Sequence, residues 1–104
     1  MREIYYKLLD KKIVTTDSIV DWDSWFETAN RHIGDTTIKD QRISTVFLGI
    51  DHNYGTGKPI LFETMIFGGD NDMYCKRYHT YEEAEKGHQK IVRAITQGEK
   101  LDDD

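Results

Sequence analysis

A chain of 104 residues with 19 acidic and 14 basic side chains, net −5 at neutral pH, is the length of one domain, and its 38% apolar and 32% charged residues describe a folded chain with a well-charged surface. The acidic balance disfavours a nucleic-acid partner held through its phosphates, and the lone Cys75 excludes an intramolecular disulfide. No apolar run approaches the roughly 20 residues that cross a bilayer, and no basic, apolar, small-residue leader precedes Tyr5 and Tyr6, so a cytoplasmic protein without a membrane segment is expected.

Ile4 to Leu9 reads as a strand, Asp10-Lys11-Lys12 as a turn, and Ile13-Val14-Thr15 as a short β-branched return strand. Trp22, Trp25, Phe26 and Ala29 then fall at i, i+3, i+4 and i+7, which predicts a helix over about 22–31 with Asp21 as its N-cap. Its tryptophans are read as core anchors, because so short a helix depends on burial. His32 to Ile38 is weakly strand-like. Ile43 to Ile50 and Ile60 to Phe67 are apolar on both parities, as expected of central strands covered on both sides. Between them, residues 51–59 form a loop longer than hairpins usually carry, and long loops in small domains are often functional.

A further strand is expected from Met73 to His79, after a turn built on Gly68 and Gly69. Thr80 and Glu83 form a capping box for a last helix over about 81–97. Tyr81, Ala84, His88, Ile91, Val92 and Ile95 form its apolar stripe, and Gly98 ends it. The acidic tail 99–104 is expected to fray. The fold class is therefore α+β: one domain over 1–104, an antiparallel sheet of about four to six strands packed against two helices.

If Phe67 pairs with Met73, antiparallel partners sum to 140, and Met65 faces Cys75, Leu61 faces His79 and Glu63 faces Arg77. A carboxylate between Leu61 and Met65 needs such a partner. The plain reading is a structural ion pair; the functional one has Glu63 hold Arg77 to grip an anion. His88 on the apolar stripe is read first as a hydrogen-bonded core residue, beside Gly87, whose missing side chain brings the backbone close to the sheet. If the last helix folds over the face that carries Glu63, Arg77 and His79, the four make a cluster suited to acid-base work.

Other motifs carry less. His52, His79 and His88 share no ligand spacing, so no metal is expected, and Asp70-Asn71-Asp72 lacks the rest of a calcium loop. Gly55-Thr56-Gly57-Lys58 departs from a phosphate-binding loop at its spacing, at Pro59 and in the strand that follows, although its amides and Lys58 could meet an anion and Tyr54 could stack on a ring. Cys75 shows no sign of activation.

Ser44 to His52, Leu61 to Gly69, Arg77-Tyr78 and Glu83 to His88 resemble a widespread group of small bacteriophage- and prophage-encoded proteins of uncharacterised activity, and Tyr5-Tyr6 with the Trp22, Trp25, Phe26 helix fits the same pattern. Asp51, His52, Glu63, Arg77 and His88 are among the positions that carry it. The resemblance implies a phage protein acting in the bacterial cytoplasm and brings no activity with it. The preferred expectation is a non-enzymatic binding module without a cofactor that sequesters a nucleotide-like or other anionic small molecule or blocks a host protein. Its candidate ligand-binding residues are Asp51, His52, Tyr54, Glu63, Arg77, His79 and His88. A small hydrolase or lyase acting on a phosphoester or nucleotide, with His52 or His88 as acid-base and Arg77 as anion clamp, is the second reading; a purely structural or interaction protein is the third. Oligomerisation stays open.

Overall fold

The computed structural model describes residues 4–54 and 56–101. Strands β1 (Tyr5–Leu9) and β2 (Lys12–Thr16) form a two-stranded ribbon; helix α1 (Ile19–Thr28) follows; β3 (His32–Ile38), β4 (Gln41–Phe47), β5 (Phe62–Phe67) and β6 (Cys75–Tyr78) build a four-stranded antiparallel meander; and α2 (Tyr81–Thr96) closes the fold. This is the expected α+β class, divided into two sheets.

The ribbon turns through Asp10 and Lys11, both at positive φ (50° and 66°), the twist that a two-residue hairpin needs. α1 begins three residues earlier than its apolar periodicity indicates. Ser18, not Asp21, is its N-cap, with Oγ accepting from the Asp21 amide at 3.1 Å, while Asp21 sits in the first turn and pairs with Lys7 at 3.0 Å. Trp22 donates its indole N–H to the Tyr6 carbonyl, and Trp25 meets Phe47 edge-on at 5.8 Å, so the tryptophans anchor α1 to the ribbon and to the sheet. Among strands, the weakly patterned His32–Ile38 is a full edge strand, bulged between His32 and Gly34.

The sum-of-140 register holds across β5 and β6: Met65 faces Cys75, Thr64 faces Lys76 and Glu63 faces Arg77. It does not extend to Phe67 and Met73. The chain turns one rung sooner, with Ile66 and Tyr74 joined by a backbone bond and Met73 at φ +70° in the turn. α2 carries the full capping box, and the Glu99 amide bonds the Ala94 carbonyl past Gly98 at φ +70°. Beyond that closure, half-buried Leu101 packs against the Ile43, Ile66 and Ile91 cluster; 102–104 lie outside the described residues.

β4 is central, but it is covered on one side only. Ile43, Thr45 and Phe47 of β4 and Phe62, Thr64 and Ile66 of β5 face α2 and are fully buried. The opposite face, with Ser44, Val46, Glu63, Met65 and Arg77, has no helix over it among the described residues. Apolar residues on both parities therefore misled, because Val46 and Met65 are only half-buried on an open face.

Candidate functional site

The helix side of the sheet holds two apolar clusters, one around Phe47, Phe62 and Ala84 and the other around Ile43, Ile66 and Ile91. A polar belt separates them. His88 reaches Thr45 Oγ1 through Nδ1 at 2.7 Å and Thr36 Oγ1 through Nε2 at 2.9 Å; Thr45 meets Thr64 at 2.6 Å, and Thr64 meets the Tyr78 hydroxyl at 3.0 Å. One direction of donation satisfies the chain: Tyr78 to Thr64, Thr64 to Thr45, Thr45 to Nδ1, and Nε2–H to Thr36. Two glycines make the close approach possible. A Cβ on Gly34 would lie 2.7 Å from the His88 ring and one on Gly87 2.4 Å from the Tyr78 ring. Burial pushes the His88 imidazole down, with Asp35 pulling weakly the other way, and burial pushes the Tyr78 phenol up. Both are neutral near pH 7, and no buried side-chain polar atom among the described residues lacks a partner.

α2 thus lies on the face opposite the one that would have gathered the acid-base cluster. Glu63, Arg77 and His88 are on different sides of the sheet, because Thr64 and Tyr78, not Glu63 and Arg77, point toward the helix. On the open face Arg77 donates from Nε to Glu63 Oε2 at 3.0 Å, with Glu63 17% and Arg77 47% exposed. Beside them Cys75 is pushed up by burial and then by the Glu63 carboxylate, which keeps it a thiol rather than a nucleophilic thiolate. Tyr54 is 89% exposed and within electrostatic reach of Arg77.

The remaining candidates hold the long loop. Asp51 Oδ1 accepts from the amides of Asn53 at 2.7 Å and Ile60 at 2.9 Å, and the His52 amide donates to the Ile60 carbonyl. His79 donates from Nδ1 to the Pro59 carbonyl at 2.9 Å, and its amide donates to Glu83 of the capping box. Gly55 lies outside the described residues. No group of three or more His, Cys, Asp or Glu residues among those described could hold a metal ion.

Comparison of the chain with family models, curated proteins and solved structures finds no match. The chain's own geometry is therefore the ground for a functional reading, and it draws attention to a place that the sequence does not mark. A cleft of about 220 Å³ opens between α2 and the outer edge of β6. Its described lining has four cations, Lys76 from β6, Lys90 and Arg93 from α2 and Lys100 beyond it, against one acid, Glu99. Ile91, Ala94 and Leu101 supply apolar surface and Tyr74 an aromatic ring. Lys90 and Arg93 are three apart, hence on one helix face, and Lys76 enters because its parity is that of Tyr78, toward α2. Arg93 also complements the C-terminal end of the helix dipole, a structural role that does not account for Lys76 on the strand. None of the seven residues singled out from the sequence lines this cleft.

Proposed function

We propose that this chain is a non-enzymatic binding module for an anionic, nucleotide-like small molecule, taken up in the cleft between α2 and β6, and that it acts in the bacterial cytoplasm, the setting implied by its resemblance to phage-encoded proteins. The observation that carries the reading is the convergence of Lys76, Lys90, Arg93 and Lys100 on apolar surface in a chain of net charge −5. Cations drawn together from a strand, a helix and the segment after it favour an anion locally, and apolar surface under a charged rim is what a ring-bearing phosphate ligand needs. The cleft is below the roughly 300 Å³ at which drug-sized sites begin, which favours a mononucleotide-sized ligand held in part at the surface.

The non-catalytic half of the reading is supported by how His88, His79, Asp51 and Cys75 are engaged. His88 is bonded at both ring nitrogens, His79 to a backbone carbonyl, Asp51 to two amides, and Cys75 is a raised thiol. A hydrolase or lyase needs an acid or base directed at a substrate.

Calorimetric titration with inorganic phosphate and with nucleoside mono-, di- and triphosphates is the test. Binding is expected to weaken several-fold between about 50 and 300 mM salt, as charge contacts are screened. Exposed Lys90 and Arg93 can be reversed together, and Lys90→Glu with Arg93→Glu is expected to weaken binding at least ~tenfold, which is about 1.4 kcal/mol. Absence of binding across the panel, or binding untouched by the double reversal, would refute the assignment. Arg77→Met serves as the control: a loss of affinity there would move the site to the open sheet face.

A further inference from the structure

β2 is the barest strand of the fold. Among the described residues it pairs with β1 alone, and four of its five residues, Lys12 to Thr15, are exposed. An edge of unpaired amides and carbonyls recruits further strands, so native proteins shield it with proline, a bulge, repeated charges or a covering element. β2 has one lysine at its start and then Ile13, Val14, Thr15 and Thr16, all β-branched, with no bulge in its pairing. The same end of the molecule gathers exposed apolar surface. Of the ten large apolar or aromatic side chains that stay exposed among the described residues, six are Ile4, Leu9, Ile13, Val14, Ile19 and Val20.

The ribbon's register says how the edge can be used. Leu9 and Lys12 flank a two-residue turn, so that pair, and with it Lys7 with Val14 and Tyr5 with Thr16, are the hydrogen-bonded rungs to β1. The amides and carbonyls of Ile13 and Thr15 therefore point to the open edge. We propose that a second copy of this chain docks there, β2 pairing antiparallel with β2 about a twofold axis through Val14. Ile13 of one copy then faces Thr15 of the other, each offering the groups that point outward. Val14 faces Val14 as the closely spaced non-hydrogen-bonded pair, and Lys12 faces Thr16. No like charges meet. A twofold axis at Ile13 pairs only Lys12 to Val14, and one at Thr15 only Val14 to Thr16, whereas the Val14 axis pairs the whole strand. Two ribbons, each marginal alone, become one four-stranded sheet. This surface lies on elements other than those of the anion cleft, and the proposal does not depend on that reading.

Sedimentation equilibrium over ~5–500 μM tests it, a range that spans weak to moderate self-association. The wild-type chain is expected to show a concentration-dependent dimer, Val14→Lys and Val14→Glu are each expected to be monomeric with unchanged circular dichroism, and an equimolar mixture of the two is expected to dimerise again. A second measurement covers the case in which a charged variant does not fold. In a Cys75→Ser background, Val14→Cys is expected to form an intermolecular disulfide under mild oxidation, since Cα atoms of such a pair lie about 4.5 Å apart, within disulfide range. Thr37→Cys, on the exposed edge strand β3, is expected not to. A wild-type chain that stays monomeric throughout would leave the edge to a strand of a different protein and overturn the proposal. So would a dimer that survives either charge, or cross-linking that does not discriminate Val14 from Thr37.

Discussion

His88 is neutral because of where α2 sets it, buried from solvent with a threonine hydroxyl on each ring nitrogen. The folded imidazole titrates below its ordinary value near 6.5, so between the two values the unfolded chain binds more protons than the folded one. Stability from this group is therefore complete above about pH 7.5 and falls as the pH drops through about 6.5 toward the lower folded value. Urea midpoints should show this fall in the wild type and lose it in His88→Gln. The carboxylates lowered by Arg42 and Lys7, Asp35 and Asp21, act in the same direction but only at the more acid pH of their own titration. The sequence marks His88 and its neighbour Gly87 correctly as a close approach to the sheet. It does not mark Gly34, whose contact is 54 residues away, nor Thr45 and Thr64, which are indistinguishable from other β-branched strand residues until a helix lies over them.

β5 and β6 show how far a register can be derived and where the derivation stops. Gly68 and Gly69 fix the turn within a rung, and the rule of 140 then places Glu63 against Arg77 with no further information. Which face the helix takes was not legible, because Ile43 and Phe47 on one parity and Val46 and Leu48 on the other are equally apolar. The deciding signal was weak, namely the glutamate and arginine themselves: a pair this exposed belongs on the face that stays open to water. A double-mutant cycle on Glu63→Gln and Arg77→Met should give a coupling of at most about 1 kcal/mol, as befits a half-exposed pair screened by solvent. A coupling several times larger would mean that something covers that face in solution. β3 was only faintly legible for a different reason: Gly34 and a bulge interrupt its alternation, and its polar positions are those of an edge.

The molecule measures 46 × 29 × 20 Å, two layers thick and long in one direction. Among the described residues its ribbon joins the rest of the fold through one backbone bond, from the Tyr6 amide to the Gly49 carbonyl just past β4, and through the side chains of Tyr6 and Leu8, beside Trp25 of α1. Stability is correspondingly uneven. At low micromolar concentration, amides of β1 and β2 should exchange with solvent at least ~tenfold faster than those of β4 and β5, and equal protection would show that ribbon and sheet open as one unit. Single-domain organisation was read from length alone; this unevenness was not, since it depends on which elements share backbone bonds. The loop between β4 and β5 has the opposite character. Asp51 receives an amide from each side of it, Asn53 and Ile60, and so acts as a clasp that fixes the hairpin below while leaving the tip unconstrained by the register. Lengthening such a loop costs only about 0.6 kcal/mol per doubling, so the stretch around Thr56 and Lys58 is where this chain can accept an inserted epitope, tag or evolutionary novelty, at the expense of the Asn53 bonds to Thr56 and Lys58 but with the Asp51 clasp beneath left in place.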